Sequence, residues 1–127
     1  MSLRTPLGRV RGLGSAKSGL SHWRWQRITA VALVPLSLWF VYVLLDLLHA
    51  DHAHVIAFFR SPGPAALAIG LVVALFYHMK LGLQVVFEDY VRCHVAQVAL
   101  QVALRLGTAL GALVALVSIL KLSLGSA

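Results

Sequence analysis

Tyr77-His78-Met79-Lys80-Leu81-Gly82-Leu83-Gln84-Val85-Val86-Phe87-Glu88-Asp89-Tyr90 closes an apolar run that begins at Ala65. Ala65 to Phe87 has the length of one membrane-spanning helix, yet it carries a histidine near its middle. An ionisable side chain inside a bilayer is costly and marks a functional site by default. At about 100° per residue, eleven steps return to within about 20° of the starting direction. His78, Gly82, Val85 and Asp89 therefore share one helical face. At about 1.5 Å per residue, Asp89 lies roughly 16 Å along the axis from His78. The stretch thus predicts a ligand-type nitrogen at mid-membrane and an acid–phenol pair, Asp89 and Tyr90, at the membrane surface. Gly82 between them leaves room for something bulky to approach.

Composition extends this reading to the whole chain. Of 127 residues, 60% are hydrophobic, and mean hydropathy is +0.87, more apolar surface than a soluble domain of this length can hide. Three apolar stretches, 28–48, 65–87 and 95–124, are each long enough to cross a bilayer, the last with tilt. The expected fold is all-α: a basic N-terminal segment, residues 1–27, followed by a three-helix transmembrane domain, residues 28–124. Three helices alone enclose little space, which implies a larger helix bundle shared with a partner.

The net charge of +7 would suggest nucleic acid as a partner in a soluble protein. Here topology accounts for it. Arg4, Arg9, Arg11, Lys17, Arg24 and Arg27 precede the first span, whereas the loop after that span has only Arg60. The positive-inside rule places the N-terminus in the cytoplasm (or matrix), loop 49–64 outside, loop 88–94 inside and the C-terminus outside. No nucleic-acid role is expected. The single cysteine, Cys93, permits no intrachain disulfide and reads as an interfacial residue.

Gly8, Gly12, Gly14 and Gly19 argue against a continuous helix in the basic segment. A signal peptide is not expected, because the following apolar run is too long and lacks a cleavage site; an Arg-rich, acid-poor transit peptide is compatible. Ser21-His22-Trp23-Arg24-Trp25-Gln26-Arg27 reads as an interfacial anchor, with Ser21 available as a cap. Pro35 should kink the first span. His49, His52 and His54 resemble a metal-binding tract but lack a scaffold, so a solvated loop is expected. Gly107-x-x-x-Gly111 is a close-packing motif of low specificity in so Ala- and Leu-rich a helix.

His78 has three readings on its residues alone: a hydrogen bond to a neighbouring helix, a proton relay, or an axial ligand of a b-type haem. In the third case the other histidines lie at the two surfaces, and the second ligand belongs to another polypeptide. Arg27, at the inner end of the first span, suits haem propionates or lipid phosphates. The Tyr90 phenol can donate to a quinone carbonyl, and Asp89 beside it can orient a polar group or pass a proton; both also suit a plain interfacial helix end. Glu88 reads as solvated. Lys80 and Arg105 lie two or three turns inside spans; Lys80 points about 200° from His78, away from any shared pocket.

Two motifs match a known family. Arg9-Val10-Arg11-Gly12-Leu13-Gly14-Ser15-Ala16-Lys17-Ser18-Gly19 with His22-Trp23-Arg24-Trp25-Gln26-Arg27-Ile28-Thr29-Ala30 resembles the N-terminal region of the hydrophobic membrane anchor subunits of succinate dehydrogenase, the alphaproteobacterial type above all. Tyr77-His78, Leu81-Gly82-Leu83-Gln84-Val85-Val86 and Glu88-Asp89-Tyr90-Val91 resemble that family's second helix. The resemblance implies a membrane anchor of Complex II, a succinate:quinone oxidoreductase. It implies His78 as ligand of haem b, Arg27 near the propionates, and Tyr90 with Asp89 at the ubiquinone site. It also implies partners: a cytochrome b-type membrane subunit supplying the other haem ligand, an iron–sulfur subunit and a flavoprotein, with succinate's electrons passing through the soluble subunits to ubiquinone. The expected location is a bacterial inner membrane, with the mitochondrial inner membrane as the alternative. The third span carries no matching motif, and Lys80 is not expected of the family.

Two other classes stay open at the level of sequence. A small transporter or channel subunit would use His78, Lys80 and Arg105 as an ion path, without haem absorbance. A cofactor-free assembly subunit would tolerate replacement of His78. The topology has its own test: a reporter active only in the cytoplasm, fused after Ala127, should be silent, and activity there would reverse the orientation.

Overall fold

The computed structural model describes residues 5–12 and 18–125, and every regular element in them is helical. Residues 13–17, which carry Gly14 and Lys17, lie outside the described residues, as does Arg4. The elements are α1 (Pro6–Val10), α2 (Ser18–Asp46), α3 (His52–Arg60), α4 (Pro62–Tyr90) and α5 (His94–Leu124). Helices α2, α4 and α5 are long and apolar enough to cross a membrane.

Each spanning helix is longer at one or both ends than its hydropathy suggests. Apolarity marks only the hydrocarbon crossing, about 30 Å, whereas a helix also continues through the headgroup layers to roughly 40–45 Å. At 29, 29 and 31 residues, the three helices match the larger figure. Helix α2 begins at Ser18 and takes the Trp–Arg anchor into its first turns, so Ser21 is not the cap and the division expected at residue 28 falls inside the helix. Helix α4 begins at Pro62, a position where the missing N–H costs nothing.

The outer loop is the main departure from expectation. Its centre folds as α3, with Asp51 as N-cap: the Asp51 carboxylate accepts from the His54 N–H at 2.9 Å. His52 and His54 then point about 200° apart on a helix, which separates two members of the histidine tract. The last residue of α3, Arg60, lays its guanidinium against the end of α5, where a cation complements the helix dipole. Gly125 adopts φ 70° there, and a Cβ at that position would stand 2.6 Å from Arg60 Nη2.

The spanning helices form a row with α4 in the middle. It packs on α2 along one flank and on α5 along the other, and α2 and α5 do not touch one another among the described residues. Four of the five buried hydrophobic residues are on α4: Ala65, Ala68, Ala74 and Leu81. Three of these are alanines, which let the neighbouring backbones come close. Only half of the Gly107/Gly111 motif is used. A Cβ on Gly111 would meet Phe76 Cε1 at 2.6 Å, whereas Gly107 faces open space. Gly111→Ala should therefore destabilise the bundle by about 1–3 kcal/mol through overpacking. Gly107→Ala should stay within about 0.5 kcal/mol of the parent in the same detergent unfolding assay.

Candidate functional site

The α2–α4 flank opens into a cleft of about 810 Å³. Helix α4 contributes His78, Leu81, Gly82, Gln84, Val85 and Glu88. Facing them, α2 contributes Gly19, His22, Trp23, Gln26, Arg27 and Ala30. His22, Gln26 and Thr29 recur at spacings of four and three, so they form one polar stripe on an otherwise apolar helix, turned towards α4. Away from the cleft, Trp25 and Tyr77 meet edge to face, with ring centroids 6.0 Å apart, and hold the two helices in register.

His78 meets two members of that stripe, Thr29 and Gln26. Its Nδ1 lies 3.0 Å from Thr29 Oγ1, and its Nε2 lies 3.5 Å from Gln26 Nε2. The hydroxyl of Thr29 has a single proton and is only 7% exposed. That proton is directed to the carbonyls of Trp25, at 2.8 Å, and Gln26, at 3.1 Å. What the oxygen can still do is accept, and the donor it accepts from is Nδ1–H of His78. A neutral His78 therefore carries its proton on Nδ1 and a lone pair on Nε2. The Gln26 amide stands against that lone pair at a long hydrogen-bonding distance.

Two further polar atoms in the cleft have no partner: His22 Nε2 and Gln26 Oε1 are buried and unbonded. Buried polar atoms are normally hydrogen-bonded, so this pair marks a place where a polar ligand group would be received. Gly82 keeps the α4 wall low beside them; a Cβ there would come to 3.6 Å from Gln26 Nε2. Arg27 stands at the same cleft with its guanidinium 5.6 Å from the centroid of the Trp23 ring, so an aromatic face orients the charge.

The structure brings Arg27 and His78 to one cleft and leaves Asp89 and Tyr90 outside its lining. Both end α4 and are exposed, Tyr90 by 81%. Of the residues sharing the His78 face, Gly82 and Val85 line the cleft as expected. At the last turn the lining acid is Glu88, not Asp89. Glu88 Oε1 accepts from Gln84 Nε2 at 2.9 Å and from Gln101 Nε2 at 3.2 Å. Glu88 is exposed, as expected, and its carboxylate also ties α4 to α5. Lys80 lies on the other flank of α4, with Nζ 5.5 Å from the Tyr77 ring centroid. Gln26 and Thr29 carry no signal as single residues; the four–three spacing of the α2 stripe is the mark they leave in the sequence.

The chain is similar to known membrane proteins. Residues 1–120 match the family model described as succinate dehydrogenase/fumarate reductase transmembrane subunit. Among relatives, the succinate dehydrogenase hydrophobic membrane anchor subunit of Rickettsia bellii is 38% identical over 103 residues, 81% of this chain and 82% of that one. The Rickettsia conorii protein of the same name is 38% identical over 89 residues, covering 68% and 69%. The one from Paracoccus denitrificans is 30% identical over 86 residues, covering 68% and 67%.

The tautomer assignment is directly measurable. In the chain with labelled histidine, the imidazole nitrogen resonances of His78 should report the Nδ1–H form. Thr29→Val removes one acceptor, worth about 1 kcal/mol, and should shift the tautomer ratio roughly five-fold towards Nε2–H. A parent chain already protonated on Nε2 would refute the assignment.

Proposed function

The chain belongs to the succinate dehydrogenase/fumarate reductase transmembrane subunit family, and on that footing we propose that its α2–α4 cleft forms one side of a haem b site with His78 as axial ligand. It is a membrane anchor subunit of succinate dehydrogenase, and its three apolar helices are the membrane part. The observation that carries the haem reading is the 3.0 Å contact between His78 Nδ1 and Thr29 Oγ1, in which the back-bonds of Thr29 make its oxygen the acceptor. A histidine that ligates through Nε2 needs its other nitrogen protonated and held, because that bond sets the ring's orientation and raises its basicity.

The other residues of the cleft fit the same group. The volume falls within the range of cofactor sites, about 300–1,000 Å³. Arg27 and His22 supply a guanidinium and an unpartnered ring nitrogen suited to propionates. Gln26 holds the Nε2 lone pair only weakly, at 3.5 Å, and yields it to a stronger acceptor of electrons. Haem bound there supplies one-electron redox chemistry. The cleft is walled by two helices only, and His22 lies about one turn, roughly 6 Å, inward of Gln26 along α2. The second axial ligand therefore comes from a cytochrome b-type membrane partner that closes the cleft.

At the inner end, Tyr90 and Asp89 are the proposed contacts to ubiquinone. A quinone ring is apolar with two carbonyl acceptors, so it needs a donor at the polar edge of an apolar slot. Tyr90 offers an exposed phenol at the end of α4, and Asp89 an adjacent carboxylate that can hold or pass a proton. Both are exposed on this chain, which supports a slot completed by a partner. Iron–sulfur and flavoprotein subunits dock on that inner side, since a single cysteine cannot hold a cluster. The membrane is then the bacterial cytoplasmic membrane.

Two substitutions in the assembled complex test the proposal. His78→Ala should abolish or alter the b-type signal in a reduced-minus-oxidised spectrum; an unchanged spectrum would exclude His78 as ligand. Tyr90→Phe keeps shape and removes one donor, at a cost on the order of 1 kcal/mol or more. Quinone reduction should fall several-fold while succinate oxidation by a soluble acceptor persists, and unchanged quinone reduction would place the slot elsewhere.

A further inference from the structure

Lys80 and Arg105 are unused by the haem and quinone reading. Lys80 stands ten residues before the end of α4 at Tyr90, and Arg105 eleven residues after the start of α5 at His94. Both are therefore roughly 15–16 Å from the inner helix ends. Helices of this length overhang a hydrocarbon core of about 30 Å by several ångströms at each side. The two cations then lie at one level, roughly 8 Å beneath the inner boundary of the core. No acid of this chain shares that level. Its four acids are Asp46, Asp51, Glu88 and Asp89, the first two near the outer end and the last two at the inner end. Glu88 is about 12 Å along the helix axis from Lys80 and is bonded to Gln84 and Gln101; it lines a neighbouring pocket with Arg105 but makes no ion pair with it.

Both cations line one cavity of about 260 Å³ in the groove between α4 and α5. Lys80 does not stretch to the surface: it is half-buried, with Nζ 5.5 Å from the Tyr77 ring centroid, which keeps it in the groove. Helix α4 runs inward and α5 outward, so Val73, Ala109 and Ala112 continue the same cavity towards the membrane centre. The groove is polar and cationic at its inner end and apolar beyond. It lies on the flank of α4 about 200° from His78, away from the cleft that a membrane partner would close.

We propose that this groove binds an anionic phospholipid of the inner leaflet, its phosphate between Lys80 and Arg105 and an acyl chain along Val73, Ala109 and Ala112. An occupant at this depth must be soluble in hydrocarbon and bring the negative charge the chain lacks there. A lipid with net negative charge fits better than a zwitterionic one, whose ammonium would add a third cation to the two.

The assembled complex, purified in mild detergent with phosphatidylglycerol or phosphatidylcholine, is the material for the test. Retained lipids are counted by native mass spectrometry. The parent complex should hold one more phosphatidylglycerol than the Lys80→Gln/Arg105→Gln variant, and no extra phosphatidylcholine. Lys80→Arg/Arg105→Lys should keep it, and each single Gln variant should hold it in only part of the population. Equal retention in parent and double variant would overturn the proposal and leave the cations as snorkelling side chains. Loss of a partner subunit at unchanged lipid count would overturn it in favour of an ion pair with that partner's carboxylate. Displacement of the lipid by soluble glycerol phosphate would show a free phosphoester site instead.

Discussion

In a bilayer, apolar side chains gain little by leaving lipid for a protein neighbour, so spanning helices are joined by close packing and by a few polar contacts. Nearly all such contacts in this protein run through α4. Its alanines and Leu81 are buried, Leu81 beside the α2 cleft, and on the α5 flank Phe76 lies against Gly111. On the other, Thr29 of α2 meets His78. At the inner end Gln101 of α5 reaches Glu88. Remove α4 and the other two spans are left apart, since their backbones nowhere approach closely among the described residues.

That economy makes the same bond serve stability and chemistry. Thr29 closes its own backbone carbonyls with its proton, as hydroxyls do within membrane helices, and so can only accept from across the interface. The acceptance ties α2 to α4 and leaves Nε2 of His78 with only the 3.5 Å contact to Gln26. A second hydroxyl, Thr108, makes the same back-bond to Leu104 but faces the α4–α5 groove without a ring to hold. The two flanks of α4 thus differ in chemistry: an imidazole held by Thr29 and loosely by Gln26 on one side, two cations without an ion-pair partner among the described residues on the other.

The row of helices leaves much apolar surface uncovered, including Val31, Leu38 and Tyr42 on α2 and Leu106, Leu110 and Leu113 on α5. In water this would be a liability; in lipid it needs no cover. The cleft is different, because its unbonded His22 Nε2 and Gln26 Oε1 are polar atoms that lipid cannot satisfy.

The sequence by itself determined the fold class. Runs of apolar residues long enough to cross a bilayer leave the backbone no choice but helix. It also determined that His78 is exceptional, and that Gly82 and Val85 stand on its face, because helical period is a local property. The tertiary structure decided which neighbours those residues meet. Only the pairing of α2 with α4 makes a stripe of His22, Gln26 and Thr29 into a wall for His78, selects Glu88 over Asp89 at the inner mouth, and leaves Tyr90 facing away. Only the pairing of α4 with α5 sets Lys80 and Arg105 at one level. Those outcomes depend on which helix flanks which, at what register and depth, and a hydropathy profile carries none of that.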